Sequence, residues 1–108
     1  YFDYAADAKE AACKGALGGI RAGVSNFYAN SAISGSAAYP TYTQLTTLGT
    51  VMQEALPDNP YNSLATVKDE DGNWDEDDPP VDDSTGWCYD ESAGRFWANS
   101  DTVDENEF

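Results

Sequence analysis

The sequence predicts an α+β fold in which a long N-terminal amphipathic helix packs on a small antiparallel β-sheet, with a short second helix and an acidic loop. Two observations carry this prediction: residues 5–30 are rich in alanine and free of proline, and residues 86–99 contain two aromatic runs around a glycine-containing turn. The chain of 108 residues has no second hydrophobic block, so we expect a single domain over residues 1–108.

The long helix is predicted within residues 1–30. Apolar residues recur there at spacings of four, three, four and three, which is one face of a helix: Cys13, Leu17, Ile20, Val24 and Phe27. The same segment contains four glycines, Gly15, Gly18, Gly19 and Gly23. Each glycine lowers helix propensity by up to about 1 kcal/mol relative to alanine. They indicate either the close approach of another helix or a local weakness.

Residues 31–57 are predicted to form a loop followed by a short helix. Small polar residues, Gly35 and Pro40 interrupt the helical pattern in residues 31–40. From Thr43 onward apolar residues return at spacings of three, four and four, at Leu45, Leu48, Met52 and Leu56. Pro57 then ends the pattern, so we expect the second helix to lie between residues 43 and 56.

Residues 58–100 are predicted to form the sheet region, with an acidic loop at residues 69–83. Residues 65–67 are a candidate short strand. The segments 86–90 and 95–99 flank a turn that contains Gly94, which is typical of a β-hairpin. Residues 101–108 form an acidic tail that we expect to fray.

The charge of the chain excludes several classes of function. Twenty acidic side chains oppose five basic ones, for a formal net charge of -15, and this makes binding to nucleic acid or to an anionic membrane surface unfavourable. The sequence has no histidine for a His-based triad, and it has neither a phosphate-binding glycine loop nor a nucleophile elbow. We therefore predict that the chain is not an enzyme.

The order of several short motifs resembles a known family. The chain contains Tyr39-Pro40-Thr41, a short helix with Leu45, and then the turn-rich string Leu56-Pro57-Asp58-Asn59-Pro60-Tyr61-Asn62. These are followed by Gly86-Trp87-Cys88-Tyr89-Asp90 and Gly94-Arg95-Phe96-Trp97-Ala98-Asn99. This arrangement resembles bacterial type IV pilins and the pseudopilins of type II secretion, over about residues 8–100.

The resemblance implies a pilin-like fold and a structural subunit of a bacterial extracellular or cell-surface filament that assembles by helix packing. A pseudopilin of a secretion system and a secreted calcium-binding adhesion module that does not polymerise are the alternatives. Family members begin with an apolar helix half, which this sequence lacks. We expect an engineered truncation, a split pilin with a separate short apolar-helix chain, or an unrelated secreted domain. Membrane contact is expected only through that missing or partner helix.

The extracellular setting that the resemblance implies favours a disulfide between Cys13 and Cys88. Their separation in sequence excludes a CxxC redox pair or a compact zinc knuckle. In a reducing compartment the alternative is two buried thiols.

The acidic loop contains one candidate metal site. Oxygen-bearing side chains alternate at Asp69, Asp71, Asn73 and Asp75, and calcium takes six to eight oxygen ligands. The EF-hand template does not fit, because Trp74 stands where that loop requires glycine. Calcium is therefore the candidate cofactor, and a solvated acidic loop is the alternative.

The predicted filament interface combines aromatic and small residues of the N-terminal helix. It consists of Tyr1, Phe2, Tyr4, Gly15, Gly19 and Gly23. The three aromatic residues would be costly to leave in water, and the glycines recur every four residues on a different side from the apolar stripe. A frayed N-terminal end is the alternative for the aromatic residues.

Overall fold

A computed structural model of the chain describes residues 4–108. Its elements are helix α1 (Tyr4–Ile33), helix α2 (Tyr42–Thr46), strands β1 (Val67–Asp69), β2 (Trp87–Asp90) and β3 (Arg95–Ala98), and a 3₁₀ helix (Glu105–Glu107). The fold is α+β, with one long helix against a three-stranded sheet, as the sequence predicts.

Helix α1 contributes the apolar stripe that the sequence predicts. The side chains of Cys13, Leu17, Ile20 and Val24 are at most 3% exposed, and they pack with the β2 and β3 side chains that face the helix. The fifth member, Phe27, is only half-buried. The buried part of α1 is therefore its middle, between residues 13 and 24.

The sheet is mixed, which corrects the prediction of an antiparallel sheet. Strands β2 and β3 form the predicted antiparallel hairpin, with Trp87 opposite Ala98. Strand β1 instead runs parallel to β2, with Val67 opposite Trp87. A parallel pair needs a long connection that returns the chain to the same end of the sheet, and the acidic segment 70–86 provides it. The strand that we predicted at residues 65–67 is observed as β1, which starts only at Val67, the last residue of the predicted range.

Both faces of the hairpin are covered. Trp87, Tyr89 and Phe96 belong to the core that faces α1. Trp97 points to the opposite face, since successive side chains of a strand alternate. It is 1% exposed, and its Nε1 donates a hydrogen bond to the carbonyl of Pro80 at 2.9 Å. The end of the acidic loop thus covers the second face of the sheet.

Helix α2 is shorter than predicted. Thr41 caps its N-terminus in a capping box with Gln44, and the helix ends at Thr46. The Thr47 hydroxyl donates to the carbonyl of Thr43, and Gly49 has a φ of +91°, so the chain turns away from the helix. Leu48, expected on the apolar face, is 63% exposed.

The C-terminal segment is packed, contrary to the expectation of a frayed tail. Glu105 and Asn106 are 0% and 4% exposed, and Phe108 packs against the core. Arg21 of α1 donates a hydrogen bond to the Phe108 carbonyl at 2.9 Å and two to the Phe96 carbonyl at 3.0 and 2.8 Å. One side chain therefore joins the helix, strand β3 and the end of the chain.

Candidate functional site

The outer face of α1 lies opposite its buried stripe and carries only small side chains along its central turns. We call this the small-residue face. It consists of Ala8, Ala11, Ala12, Gly15, Gly18, Gly19 and Ala22, all of which are exposed. At 100° per residue these positions fall within one sector of the helix, so they form a continuous surface.

The predicted interface glycines differ in their surroundings. A Cβ added at Gly15, Gly18 or Gly19 would meet no heavy atom within 4 Å. A Cβ at Gly23 would lie 2.8 Å from the Met52 Sδ and 3.3 Å from the Val51 Cγ1. Gly23 therefore makes room for the chain's own segment after α2, and it does not belong to the exposed surface.

The aromatic part of the predicted interface is only partly described. Tyr4 is 73% exposed at the start of α1. Tyr1 and Phe2 lie outside the described residues 4–108. Their proposed role in the interface stays a prediction.

The acidic loop is organised around the carboxylate of Asp90, a residue that the sequence did not single out. Asp90 is 2% exposed. Its oxygens accept hydrogen bonds from the backbone N–H groups of Gly72 (2.9 Å), Trp74 (3.0 Å), Ser92 (3.0 Å) and Ala93 (3.2 Å), and from the Ser92 hydroxyl (2.6 Å). One carboxylate thus ties the acidic loop to the hairpin turn.

The protonation of Asp90 follows from these contacts. Burial alone would raise the pKa of the Asp90 carboxyl, but the hydrogen bonds from Ser92, Gly72, Trp74 and Ala93 outweigh it and lower the pKa below its ordinary value. Asp90 is therefore ionised at neutral pH, and its negative charge is compensated by N–H and O–H donors.

Three of the four predicted calcium ligands already accept backbone hydrogen bonds with their carboxylates, and the fourth, Asn73, takes part through its backbone. Asp69 accepts from the N–H of Asp71 at 3.3 Å, Asp71 from the N–H of Ser92 at 3.1 Å, and Asp75 from the N–H of Asp77 at 2.9 Å. The backbone N–H of Asn73 donates to the Glu70 carbonyl at 2.9 Å. Within residues 4–108, no group of three or more His, Cys, Asp or Glu side chains is arranged to hold a metal ion. Calcium binding stays a prediction.

The predicted disulfide is not present, because the two cysteines face different sides of the sheet. Cys13 is part of the core between α1 and the sheet. Cys88 lies between Trp87 and Tyr89, which face that core, so its own side chain points the other way, where its Sγ lies 3.9 Å from the Pro80 carbonyl oxygen. Both thiols are buried and free. Burial raises the pKa of Cys13 to about 11 and that of Cys88 to about 12, so both stay protonated and unreactive.

A cleft of about 530 Å³ lies where α1, the hairpin turn and the C-terminal segment meet. Two arginines line it, Arg21 from α1 and Arg95 from β3, and the Arg95 guanidinium lies 4.3 Å from the ring centre of Trp74. Burial lowers the pKa of Arg21, and the nearby charge of Arg95 lowers it further. Within residues 4–108 the ion pairs are made by Lys14 and Lys68, so neither arginine is paired with an Asp or Glu side chain there.

The sequence offered little signal for these residues. Asp90, Arg21 and Asn106 are single polar residues without a local motif, and their partners lie far away along the chain. The glycine turn before Arg95 and the aromatic residues of the hairpin were visible, and they place Arg95 at the start of β3. Nothing in the spacing indicated that Arg21 would meet it.

Neither α-helix of the described part, residues 4–108, has an apolar stretch long enough to cross a membrane. Comparisons with protein-family models, with curated proteins and with solved structures find no match for this chain.

Proposed function

We propose that this chain is a structural subunit of an extracellular filament of the type IV pilus kind, assembled by helix packing along the small-residue face of α1. The observation that carries the proposal is the exposure of this face. A Cβ at Gly15, Gly18 or Gly19 has free space around it, so no contact within the described chain requires glycine at these positions. Glycine weakens a helix, whereas it lets a neighbouring backbone approach closely.

The shape of the molecule suits such packing. A helix of 30 residues is about 45 Å long, and the molecule measures 54 × 26 × 19 Å, so α1 runs along most of its length. The first buried side chain of α1 is that of Cys13. The turns before it, from Tyr4 to Ala12, contain no fully buried residue.

The distribution of charge also favours a filament in which the helices lie at the centre and the sheets at the surface. Most of the twenty acidic residues lie in residues 58–108, outside α1 in the sequence. Helix α1 itself carries Asp7 and Glu10 against Lys9, Lys14 and Arg21. Packing around α1 therefore brings nearly neutral surfaces together and keeps the acidic loop at the outside, where solvent and salt screen its repulsion.

The apolar helix that such a filament needs at its centre would come from the same polypeptide or from a short partner chain. In this proposal the membrane is contacted only through that helix. The subunits are homo-oligomeric through α1, and the location is the bacterial cell surface.

The test is Gly19→Leu in the organism's full-length chain, with filaments counted by electron microscopy. The isolated domain should fold normally, because the space beyond Gly19 is open, while filaments should be lost because the leucine collides with the neighbouring helix. Gln53→Leu is the matched control: it adds the same side chain at an exposed position outside α1 and should leave filaments intact. Normal filaments with Gly19→Leu would show that this face does not pack.

Two alternatives have distinct readouts. A pseudopilin would show the same sensitivity to Gly19→Leu, but as a loss of protein secretion with no long surface filaments. A secreted calcium-binding module would show no assembly, and calcium would raise its melting temperature above that in chelator through binding to the native state. An unchanged melting temperature would contradict calcium binding at residues 69–75.

A further inference from the structure

We propose that the cleft between Arg21 and Arg95 binds a neutral saccharide. We call it the arginine cleft. The proposal concerns the folded domain alone and does not depend on the filament proposal.

The size and composition of the arginine cleft fit a small ligand. Its volume of about 530 Å³ lies in the range of pockets that hold small molecules, which combine apolar and aromatic walls with a few polar groups. The walls include the rings of Tyr39, Trp74 and Phe108. A mono- or disaccharide offers both the C–H faces that pack on such rings and the hydroxyls that the polar groups require.

An acceptor in the wall has no partner. Asn106 lines the cleft and is 4% exposed, and its Oδ1 receives no hydrogen bond. Its orientation is fixed, because the Nδ2 faces two acceptors, the Pro79 carbonyl at 2.8 Å and an Asp78 carboxylate oxygen at 3.4 Å. A buried acceptor without a donor costs about 1–3 kcal/mol, and a ligand hydroxyl would recover this cost only if the Asn106 side chain shifted to expose its Oδ1 to the cleft.

Donors lie in the same cleft. The Arg95 side chain makes no hydrogen bond or ion pair among residues 4–108, and its guanidinium offers five N–H groups while it stacks on Trp74. The hydroxyl of Ser25, exposed on α1, adds another donor that can also accept. The Arg21 guanidinium is held by the carbonyls of Phe96 and Phe108 and shapes the floor.

The charges of the cleft select a neutral ligand. Arg21 and Arg95 are balanced by Glu76 and Glu107, which also line it. The net charge of -15 repels free anions from the molecule, and the arginines repel cations. A hydroxyl can accept from a guanidinium and donate to a carboxylate, so a polyhydroxylated neutral molecule satisfies both kinds of group.

The walls are held in place before any ligand arrives. Asp90 fixes the backbone around Trp74, and Arg21 fixes the C-terminal segment next to Asn106. A preformed site loses little conformational entropy on binding, which favours affinity for a small ligand.

The experiment titrates the folded chain with maltose, cellobiose, lactose and N,N′-diacetylchitobiose, and follows tryptophan fluorescence together with saturation-transfer NMR of each sugar. We expect at least one of them to bind at millimolar concentration or below. Arg95→Gln should weaken that binding about tenfold, equivalent to about 1.4 kcal/mol. Ser25→Ala should weaken it by a smaller factor.

Lys9→Gln is the matched control, because it removes the same charge from an exposed position on α1 outside the cleft and should leave binding unchanged. Far-ultraviolet circular dichroism verifies that each variant is folded. The absence of binding by all four sugars would overturn the proposal, as would binding that Arg95→Gln leaves unaffected. Binding of galacturonate but of none of the neutral sugars would overturn the assignment of a neutral ligand.

Discussion

The β2–β3 hairpin is buried by the rest of the chain, whereas the small-residue face of α1 is exposed. All four residues of β2 are buried, and Trp97 of β3 is 1% exposed, with neighbours on both sides of the sheet. On the helix face, a Cβ added at Gly15 or Gly19 would meet no heavy atom within 4 Å. Packing within this chain therefore explains the residues of the hairpin. It does not explain the small residues of the helix face, for which we propose packing against a partner.

The largest effect is expected from Gly86→Ala at the entry of the hairpin. A Cβ at Gly86 would lie 1.9 Å from the carbonyl oxygen of Leu64, which is backbone and cannot move aside. We expect a loss of about 3 kcal/mol in the free energy of unfolding, measured by urea denaturation. The Gly86 N–H also donates to the Thr66 carbonyl, so the pairing next to β1 should weaken as well. A loss of less than about 0.5 kcal/mol would show that the hairpin is not closely packed there.

Asp90→Asn tests the polar side of the same hairpin. The asparagine has an NH₂ group in place of one carboxylate oxygen, and this group cannot accept the hydrogen bonds that backbone N–H groups donate to Asp90. We expect a loss of about 2 kcal/mol in the free energy of unfolding. Asp101→Asn is the matched control, because it removes the same charge from an exposed position. Equal effects of the two substitutions would mean that net charge, and not the hydrogen bonds of Asp90, sets the stability.

Acid should reveal the same interaction in the unsubstituted chain. Because the folded-state pKa of Asp90 is below its unfolded value, its contribution is complete above about pH 3.9 and is lost as the pH falls through the folded-state pKa. The Asp90→Asn variant should lack this part of the pH dependence in thermal melts between neutral and strongly acidic pH. Parallel stability profiles of the two proteins would contradict this role.

The smallest effects compare two glycines of α1. Gly19→Ala should raise the free energy of unfolding by about 0.5–1 kcal/mol, since alanine is the better helix former and the site is open. Gly23→Ala should gain less or lose stability, because its Cβ would press on Met52 and Val51. Thermal unfolding measures both variants. Equal gains in the free energy of unfolding at Gly19 and Gly23 would contradict the conclusion that Gly23 is covered while Gly19 is open.

Sequence periodicity predicted the elements whose contacts are local. The buried stripe of α1 and the hairpin around Gly94, with its φ of +65°, follow from spacing and turn chemistry. The parallel pairing of β1 with β2 does not, because two short strands separated by residues 70–86 carry no local mark of their relative direction.

For the site residues too, sequence patterns did not predict contacts between segments that are distant in the chain. The predicted bridge between Cys13 and Cys88 did not take the alternation of Trp87, Cys88 and Tyr89 into account. In the structure the two aromatic residues face the core, so Cys88 points away from Cys13. The roles of Asp90 and Arg21 depend on partners brought together only by the folded chain, so no spacing rule could have found them.

The parallel pairing of β1 and β2 has a consequence for the kinetics of folding. The hairpin can form early, since its two strands are joined by a tight turn, whereas β1 joins only after the long acidic segment 70–86 closes on itself. Closure of that segment brings like charges together before the Lys68 ammonium group pairs with Glu70 and Asp82. Salt screens this repulsion, so folding should accelerate with ionic strength in the step that docks β1.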